Sequence, residues 1–228
     1  MDMFHKFPST PHLFWLGRDA PRDDKILSPA DADAFLAGQV ILEEKVDGAN
    51  VGLSFSANGE LRIQNRGQYL AAREAGQFKG IRTWAERSAA ELFDVLCDSL
   101  ILFGEWCYAQ HSVHYASLPD WFLGFDVFDP EADAFWSLEK RNRLLDQVRL
   151  PKVAEVARGN MTRIDILEML DKPSAYGAAC IEGLYLRRES AGFLDQRAKI
   201  VRAEFATGIT EHWSRKPMTL NESRTSYG

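Results

Sequence analysis

The sequence predicts an α+β fold in which mixed, largely antiparallel sheets are flanked by helices. Short runs rich in apolar and β-branched residues recur along the chain, and turn residues separate most of them. Stretches with helical periodicity lie between some of these runs, and no internal repeat or low-complexity linker divides the chain. Strands and helices that follow one another in this way are typical of one α+β domain.

The predicted strands are short and have turn residues at their ends, as half-buried strands usually do. One of them, the run before Lys45, is apolar until it reaches charged residues at its end. The predicted strands cover residues 40–46, 51–55, 61–64, 100–106, 121–129, 180–187 and 198–205.

Three helices are predicted from apolar residues at helical spacing. The first covers the stretch from Ile81 to Leu96 and ends near Cys97. The second follows Ser137, and the third follows Thr162. Thr162 and the acidic residue three positions later match a capping box, which satisfies backbone N–H groups at the start of a helix.

Length and composition predict one globular domain spanning residues 1–228, with its motifs between residues 40 and 205 and a short C-terminal extension at 206–228. No apolar run approaches the roughly 18 residues of a membrane-spanning helix. The first segment does not resemble a signal peptide, because His5, Lys6 and Pro8 interrupt it. We therefore expect a soluble, cytoplasmic protein with no membrane partner.

The three cysteines are widely spaced and form no Cys-x-x-Cys pair. Neither a disulfide framework nor a structural zinc site is therefore supported, and buried thiols are expected. These residues are Cys97, Cys107 and Cys180.

The octet Glu43 to Asn50 carries the most chemical information in the chain. The run Val40–Leu42 brings Lys45 to the end of a predicted strand, and Gly48 permits a tight turn. A half-buried lysine near carboxylates and backbone amides suits a nucleophilic amine, whose reactivity requires loss of its proton. The alternative from these eight residues alone is a surface hairpin with Asp-Gly at its turn.

Lys45-Val46-Asp47-Gly48 resembles the Lys-x-Asp-Gly nucleophile motif of the covalent nucleotidyltransferases, the superfamily of ATP-dependent ligases and mRNA capping enzymes. The neighbouring Glu44 and Asn50 make the octet more similar to RNA ligases than to DNA ligases or capping enzymes. The resemblance implies the nucleotidyltransferase, or adenylation, fold of the ATP-dependent RNA ligases.

Five further motifs of that superfamily follow in family order. The resemblance therefore depends on their combination rather than on any single motif. The segment before the octet, 6–13, and a later one, 209–213, also resemble the ends of a small RNA-ligase-like branch. The five motifs are Ile63–Gly67, Leu102–Trp106, Phe122–Phe128, Ile181–Leu186 and Arg197–Arg202.

The resemblance implies that Lys45 becomes bonded to AMP from ATP while Mg²⁺ or Mn²⁺ is bound. Glu182 would help to hold that metal, with Asp47 as a second candidate through water. Arg197 stands where many relatives have lysine, and arginine keeps the positive charge but changes the hydrogen-bond geometry. The nucleotide-binding residues implied are Glu43 or Glu44 at the adenine amino group, Asn50 in the lysine pocket, Arg66 at a phosphate, Glu105 at the ribose hydroxyls, Phe125 stacked on adenine, and Arg197 and Lys199 at the α-phosphate.

The implied activity is that of an ATP-dependent RNA ligase that joins 5′-phosphate and 3′-hydroxyl ends through a lysyl-AMP intermediate and an adenylated 5′ end. Its expected partner is RNA, with an end-processing kinase or phosphatase as a further candidate. Fewer than 30 residues follow Arg202, too few for the closing OB-fold domain of DNA ligases. A minimal DNA ligase and a non-catalytic nucleotide-binding module remain alternatives.

The net charge and a pair of histidines also bear on this assignment. The net charge of −6 is acidic for a nucleic-acid-binding protein, but phosphate affinity depends on local basic surface. His111-x-x-His114 matches a metal-ligand spacing without a third ligand, so a loop near the ribose is favoured over zinc. Candidate basic stretches, for which solvated surface faces are the alternative, are Arg62, Arg66, Arg73, Lys79 and Arg82, and Arg187, Arg188, Arg197, Lys199 and Arg202.

Overall fold

The computed structural model describes residues 4–17, 25–71, 75–207 and 218–225. Its strands, numbered in chain order, form two sheets in which every pairing between strands is antiparallel. The first sheet contains β1 (Val40–Lys45), β7 (Glu155–Gly159), β8 (Gly183–Ser190) and β9 (Phe193–Val201), in the order β7-β1-β8-β9. The second contains β2 (Ala49–Phe55), β3 (Leu61–Gln64), β4 (Ile101–Trp106), β5 (Phe122–Asp129) and β6 (Ala134–Phe135), in the order β3-β2-β4-β5-β6.

The helices are short, and several begin at a side-chain cap. Ser28 and Ser137 each accept a hydrogen bond from a backbone N–H in the first turn, and Thr162 completes the predicted capping box with Asp165. Within the described residues the helices are α1 (Pro29–Leu36), α2 (Ile81–Glu86), α3 (Ala89–Leu96), α4 (Leu138–Gln147), α5 (Arg163–Leu170) and α6 (Ala203–Thr207), and a 3-10 turn lies at Gly76–Phe78.

The predicted fold class is confirmed, and the differences lie in individual elements. The helix predicted up to Cys97 is two helices, because Ser88 leaves the helical region with φ −118° and ψ 21°. The strand predicted to extend to residue 205 ends at Val201, where α6 follows. α1, β6 and β7 are not among the predicted elements, although Ser28 followed by Pro29 is a recognisable helix start.

Alternation along the strands gives each sheet an apolar outer face and an inner face that carries charged and polar side chains, in the second sheet together with apolar ones such as Phe103. In the first sheet, Leu42 and Leu184 pack on α1 and α5. In the second, Val51 and Leu53 pack on α2 and α3. The opposite faces of the two sheets face each other, and they carry the charged residues of the motifs.

None of the helices within the described ranges is both long enough and apolar enough to cross a membrane.

Candidate active site

Lys45 lies at the last position of β1, where strand register brings it to a carboxylate far away in sequence. Lys45 pairs with Gly183 on β8, so the preceding residue, Glu182, lies beside the lysine side chain. The distance from Lys45 Nζ to Glu182 Oε2 is 2.5 Å, and the lysine side chain is 27% exposed. The amine therefore lies half-buried within the protein rather than in bulk solvent.

The environment of Lys45 holds it as an ammonium. Burial disfavours the charged form, but the charges of Glu182 and Asp47 outweigh burial, so the pKa of Lys45 lies above its usual range. Burial also raises the pKa of Glu182, against the opposing charge of Lys45. A nucleophilic role therefore requires a ligand or cation that weakens this ion pair.

The turn after Lys45 is fixed by hydrogen bonds from outside the turn. The Asp47 backbone N–H donates to the Tyr115 hydroxyl at 2.8 Å, and Asp47 Oδ2 accepts from the Ser112 N–H at 2.6 Å. The Gly48 N–H donates to Glu105 Oε1 at 3.1 Å. A Cβ at Gly48 would lie 2.7 Å from the carbonyl oxygen of Trp106, so the close approach of the turn to β4 requires glycine.

The second sheet contributes Asn50 and Glu105, which are directly paired across β2 and β4 and so share one face. Burial raises the pKa of Glu105 to about 7, while the charges of Lys45 and Arg66 oppose that rise. Asn50 Oδ1 is buried and has no hydrogen-bond partner among the described residues. Both side chains thus present polar atoms to the space between the sheets.

Phe125 is the extra residue of a β-bulge. Phe103 on β4 pairs with Asp126, whereas the next residue, Gly104, pairs with Gly124, which leaves Phe125 without a partner. A bulge redirects a side chain and frees its backbone carbonyl from the sheet. That carbonyl accepts from Arg141 Nη1 at 2.6 Å and from Arg187 Nη1 at 3.3 Å.

Glu43 and Glu44 point to opposite faces of β1, which distinguishes the two candidates for the adenine contact. Glu44 is already bonded through both oxygens, to the Ser174 hydroxyl at 2.5 Å and the Ala175 N–H at 2.9 Å. Glu43 lies on the same face as Lys45 and is fully buried. Its Oε1 accepts from Arg141 at 2.7 Å, and its Oε2 has no hydrogen bond within the described part of the chain.

Burial raises the pKa of Glu43, and the neighbouring guanidinium groups of Arg141 and Arg187 oppose this rise. The distance from Arg187 Nη1 to Glu43 Oε2 is 3.6 Å, longer than a good hydrogen bond. Glu43 therefore retains an oxygen that a ligand in the cavity can reach.

Lys199 on β9 reaches the cavity on the face shared with Tyr185 and Glu43, since these three residues are aligned across β9, β8 and β1. The N-terminal segment Phe7–Leu13 runs beside β9 here. Lys199 N–H donates to the Pro11 carbonyl, and Leu13 N–H donates to the Lys199 carbonyl, both at 2.9 Å. The segment closes one side of the cavity with Phe7, Ser9 and Thr10.

Arg197 occupies a different place. Its guanidinium carbon lies 4.1 Å from the ring centroid of Phe135 and 5.1 Å from that of Phe7. Its Nη1 is 3.6 Å from Asp126 Oδ2. Arg197 is therefore enclosed by two aromatic rings and a carboxylate, and it does not line the cavity.

One cavity between the two sheets brings most of the predicted site residues together. Glu182 and Asp47 lie next to it without lining it: Glu182 bonds Lys45, and Asp47 is held by Ser112 and Tyr115. Arg66, on the loop after β3, reaches the rim. The lining residues are Phe7, Ser9, Thr10, Glu43, Glu44, Lys45, Val46, Asn50, Arg66, Glu105, Phe125, Val153, Tyr185 and Lys199.

Buried charges that were not predicted from the sequence lie behind this cavity. Arg187, for which the sequence leaves a solvated surface face as the alternative, is fully buried and bonds Asp126 Oδ1 at 2.5 Å. Arg141 on α4 is 1% exposed. The signal for Arg187 was its spacing of two residues from Tyr185 on one strand, which places both on the inner face. Arg141 has no such signal, because its partners come from two distant strands.

The two histidines of His111-x-x-His114 do not converge. His111 Nε2 lies 2.9 Å from Gln77 Oε1, and its Nδ1 lies 3.8 Å from Asp47 Oδ1. His114 Nε2 lies 3.9 Å from Glu222 Oε1 near the surface. His111 thus lies next to the Asp47 turn, whereas His114 does not.

The carboxylates near Lys45 suit a hard divalent cation. Asp47, Glu105 and Glu182 all act electrostatically on Lys45, and oxygen ligands are those that Mg²⁺ and Mn²⁺ prefer. Across the described ranges, no three or more His, Cys, Asp or Glu side chains form a complete metal cage. Mg²⁺ at nucleotide sites usually takes one or two carboxylates and completes its shell with phosphates and water, so this donor set fits.

The comparison with protein families decides the assignment. A family model described as RNA ligase matches residues 38–201, more than two thirds of the chain. The chain belongs to the RNA ligase family. The matched region includes Lys45 and the other motifs as far as Val201. The cavity-lining residues of the N-terminal segment and residues 218–225 lie outside it.

Solved structures of an RNA ligase from Naegleria gruberi share the fold. A variant with ATP and Mn is 17% identical with a TM-score of 0.64, over 90% of this chain and 58% of that one. A variant with AMP and Mn is 18% identical with a TM-score of 0.59, over 77% and 53%. An apo variant is 17% identical with a TM-score of 0.59, over 90% and 63%.

This RNA ligase family member thus spans somewhat more than half the length of those solved structures. A search of curated proteins found no match.

Proposed function

We propose that this chain is an ATP-dependent RNA ligase that acts through a lysyl-AMP intermediate on Lys45. The observation that carries the proposal is the position of the Lys45 amine, 2.5 Å from Glu182 at a cavity lined by residues from both sheets. Family membership supports ligase chemistry, and the ATP, AMP and Mn in the Naegleria structures support this choice of nucleotide and metal.

In the first step the Lys45 ammonium, which is partly exposed, gives a proton to solvent water, and the neutral amine attacks the α-phosphorus of ATP. A P–N bond forms, the bond from the α-phosphorus to the bridging oxygen breaks, and pyrophosphate leaves. Lys199, on the inner face of β9, stabilises the phosphate charge. Arg197 is a weaker candidate for the same role, because Phe7, Phe135 and Asp126 enclose it.

Glu182 and Asp47 would hold the Mg²⁺ or Mn²⁺ that this chemistry requires. When bound, such a cation would screen the α-phosphate and weaken the attraction of both carboxylates for the Lys45 proton. The hydrogen bonds from Ser112 and to Tyr115 keep the Asp47 turn in place for this role.

Four side chains would hold the nucleoside. Phe125 stacks on adenine, and Glu43 Oε2 accepts a hydrogen bond from its amino group. Glu105 binds the ribose hydroxyls, and Asn50 contributes its unpaired Oδ1. Glu44 is not proposed for the adenine contact, because Ser174 and Ala175 already occupy its two oxygens.

In the second step AMP passes to the 5′-phosphate of RNA, and in the third a 3′-hydroxyl displaces AMP and seals the strand. Arg66, exposed at the rim of the cavity, meets the terminal phosphate. Kinases and phosphatases produce ends of this kind, so we include an end-processing partner in the proposal. We also propose a cytoplasmic location. The free thiols of Cys97, Cys107 and Cys180 agree with a reducing compartment.

The proposal is tested by incubating the protein with each nucleoside triphosphate, radiolabelled at the α-phosphate, and Mg²⁺ or Mn²⁺. We expect a covalent, heat-stable adduct with ATP, which a chase with 5′-phosphorylated RNA removes as ligated product. Transfer to nicked DNA but not to RNA would identify a DNA ligase. ATP binding without any adduct would identify a nucleotide-binding module.

Glu43 is predicted to determine the preference for ATP over GTP. The Glu43 carboxylate can only accept a hydrogen bond, which suits the amino group of adenine. In Glu43→Gln the amide N–H₂ can also donate to the 6-keto oxygen of guanine, so the side chain can bind either base. We expect the ratio of ATP to GTP labelling to fall about tenfold, the value of one hydrogen bond to a charged group. The measurement is the labelling rate with each nucleotide.

The matched control for this prediction is Glu44→Gln, a change at the neighbouring residue on the opposite face of β1. Its hydrogen bonds run to Ser174 and Ala175, so the nucleotide ratio should stay unchanged. A lower ratio in Glu44→Gln with none in Glu43→Gln would reverse the assignment of the two glutamates.

A further inference from the structure

The C-terminal segment, residues 218–225, packs along the connection between β4 and β5. Backbone hydrogen bonds join it to that connection at several points. Gln110 N–H donates to the Thr219 carbonyl at 2.9 Å, Glu222 N–H to the Tyr115 carbonyl at 2.8 Å, and Leu118 N–H to the Glu222 carbonyl at 3.0 Å. The segment thus supplies strand-like partners to a connection, residues 107–121, that contains no helix or strand of its own.

Asn221 is the buried centre of this contact, with 4% of its surface exposed. Its Oδ1 accepts from the Tyr115 N–H at 2.9 Å. Its Nδ2 donates to the carbonyl of Cys107 at 2.8 Å and to that of Ala109 at 3.2 Å. The Asn221 side chain therefore links the backbone near the start of the connection, at Cys107 and Ala109, to the backbone of Tyr115.

The same loop reaches the Asp47 turn. The Tyr115 hydroxyl accepts the Asp47 N–H, and the Ser112 N–H donates to Asp47 Oδ2. Tyr115 is fully buried and belongs to the same apolar cluster as Val46. A continuous series of hydrogen bonds therefore runs from Asn221 through Tyr115 to the backbone of Asp47, two residues from Lys45.

We propose that Asn221 is a positioning residue for the Asp47 turn, acting through Tyr115, and that the C-terminal segment thereby completes the active site. Residues 218–225 lie beyond the part of the chain that the RNA ligase family model matches. The activity arm of this inference rests on the proposed ligase function, whereas the structural arm does not.

The structural arm is amide hydrogen exchange on the full chain. Tyr115→Phe removes the hydroxyl that accepts the Asp47 N–H, and Asn221→Ala removes the side chain that holds the Tyr115 backbone. Each change should accelerate exchange at the Asp47 amide by about tenfold. Asn221→Ala should also accelerate exchange at Ser112. Amides within β1, such as that of Leu42, should keep their unsubstituted rates. The double variant should exchange at Asp47 no faster than Tyr115→Phe alone, because both changes interrupt one series of contacts.

The matched control is Thr219→Ala, which removes an exposed side chain from the same segment and leaves its backbone contacts intact. It should leave exchange at Asp47 unchanged. Tyr115→Phe retains the buried ring, so it tests the link from Tyr115 to Asp47 whether or not Asn221→Ala folds.

The activity arm measures lysyl-AMP formation. Tyr115→Phe should lower the rate at saturating ATP about tenfold with little change in the KM for ATP, because the hydrogen bond it removes positions Asp47 rather than the base. Equal acceleration of exchange in β1 and at Asp47 would show that the segment only stabilises the fold, and would overturn the inference. Absence of any adduct in the unsubstituted protein would overturn the proposed function, and the exchange result would still decide this one.

Discussion

Replacing Lys45 with arginine is expected to abolish the covalent adduct while the protein stays folded. A guanidinium keeps the positive charge and can still pair with Glu182, whose carboxylate lies 2.5 Å from Lys45 Nζ. It cannot lose its proton at accessible pH, so it cannot attack the α-phosphorus. Loss of a nucleophile should lower adduct formation by at least about a thousandfold. Gel labelling with α-labelled ATP measures this loss, and thermal unfolding checks the fold.

The matched control is Lys152→Arg. Lys152 Nζ also lies 2.5 Å from a carboxylate, that of Asp146, but this pair is at the surface and away from the cavity. The control should label like the unsubstituted protein. A heat-stable adduct on the Lys45→Arg variant would show that the nucleophile is another residue, and the reaction assigned to this cavity would then be wrong.

The sequence predicted most of the polar residues that line the cavity, but it did not predict how they meet. Lys45 and Glu105 each follow a short apolar run of the kind that forms a buried strand. This pattern indicates that both residues lie at or near the end of a strand. That Glu182 lies beside Lys45 follows from the register of β1 and β8, which pairs Lys45 with Gly183. Register depends on contacts along the whole sheet, and no local pattern in the sequence reports it.

The buried guanidinium groups show a second limit. A sequence rule that places arginine at the surface is correct for most chains, and it fails for Arg187 because Asp126 and Glu43 supply the opposite charge. The bulge at Phe125 is equally hidden, since one extra residue in β5 becomes visible only against its partner β4. Arg141 and Arg187 both donate to the carbonyl of Phe125 in that bulge. The buried guanidinium groups and the bulge therefore form one structure behind the proposed adenine site.

The second large effect is predicted at Gly183, the residue opposite Lys45. A Cβ there would lie 2.2 Å from the carbonyl oxygen of Ile200 and 3.1 Å from the Cα of Val201, both in the backbone of β9. Backbone atoms cannot rotate away as a side chain does, so Gly183→Ala must push β8 and β9 apart. We expect a loss of about 3 kcal/mol in the free energy of unfolding, at the upper end of overpacking effects. Denaturant unfolding measures it.

Gly67→Ala is the matched control, because a Cβ there would meet only Asn65 Oδ1, at 3.7 Å. It should change the unfolding free energy by no more than about 0.5 kcal/mol, as exposed substitutions usually do. Gly183→Ala should also weaken adduct formation beyond its effect on folding, because β8 carries Glu182 to Lys45 across the pairing that the new methyl group disturbs. If the two variants form the same amount of adduct per folded molecule, the second part of this prediction is wrong. The methyl group would then displace β9 while β8 keeps Glu182 beside Lys45.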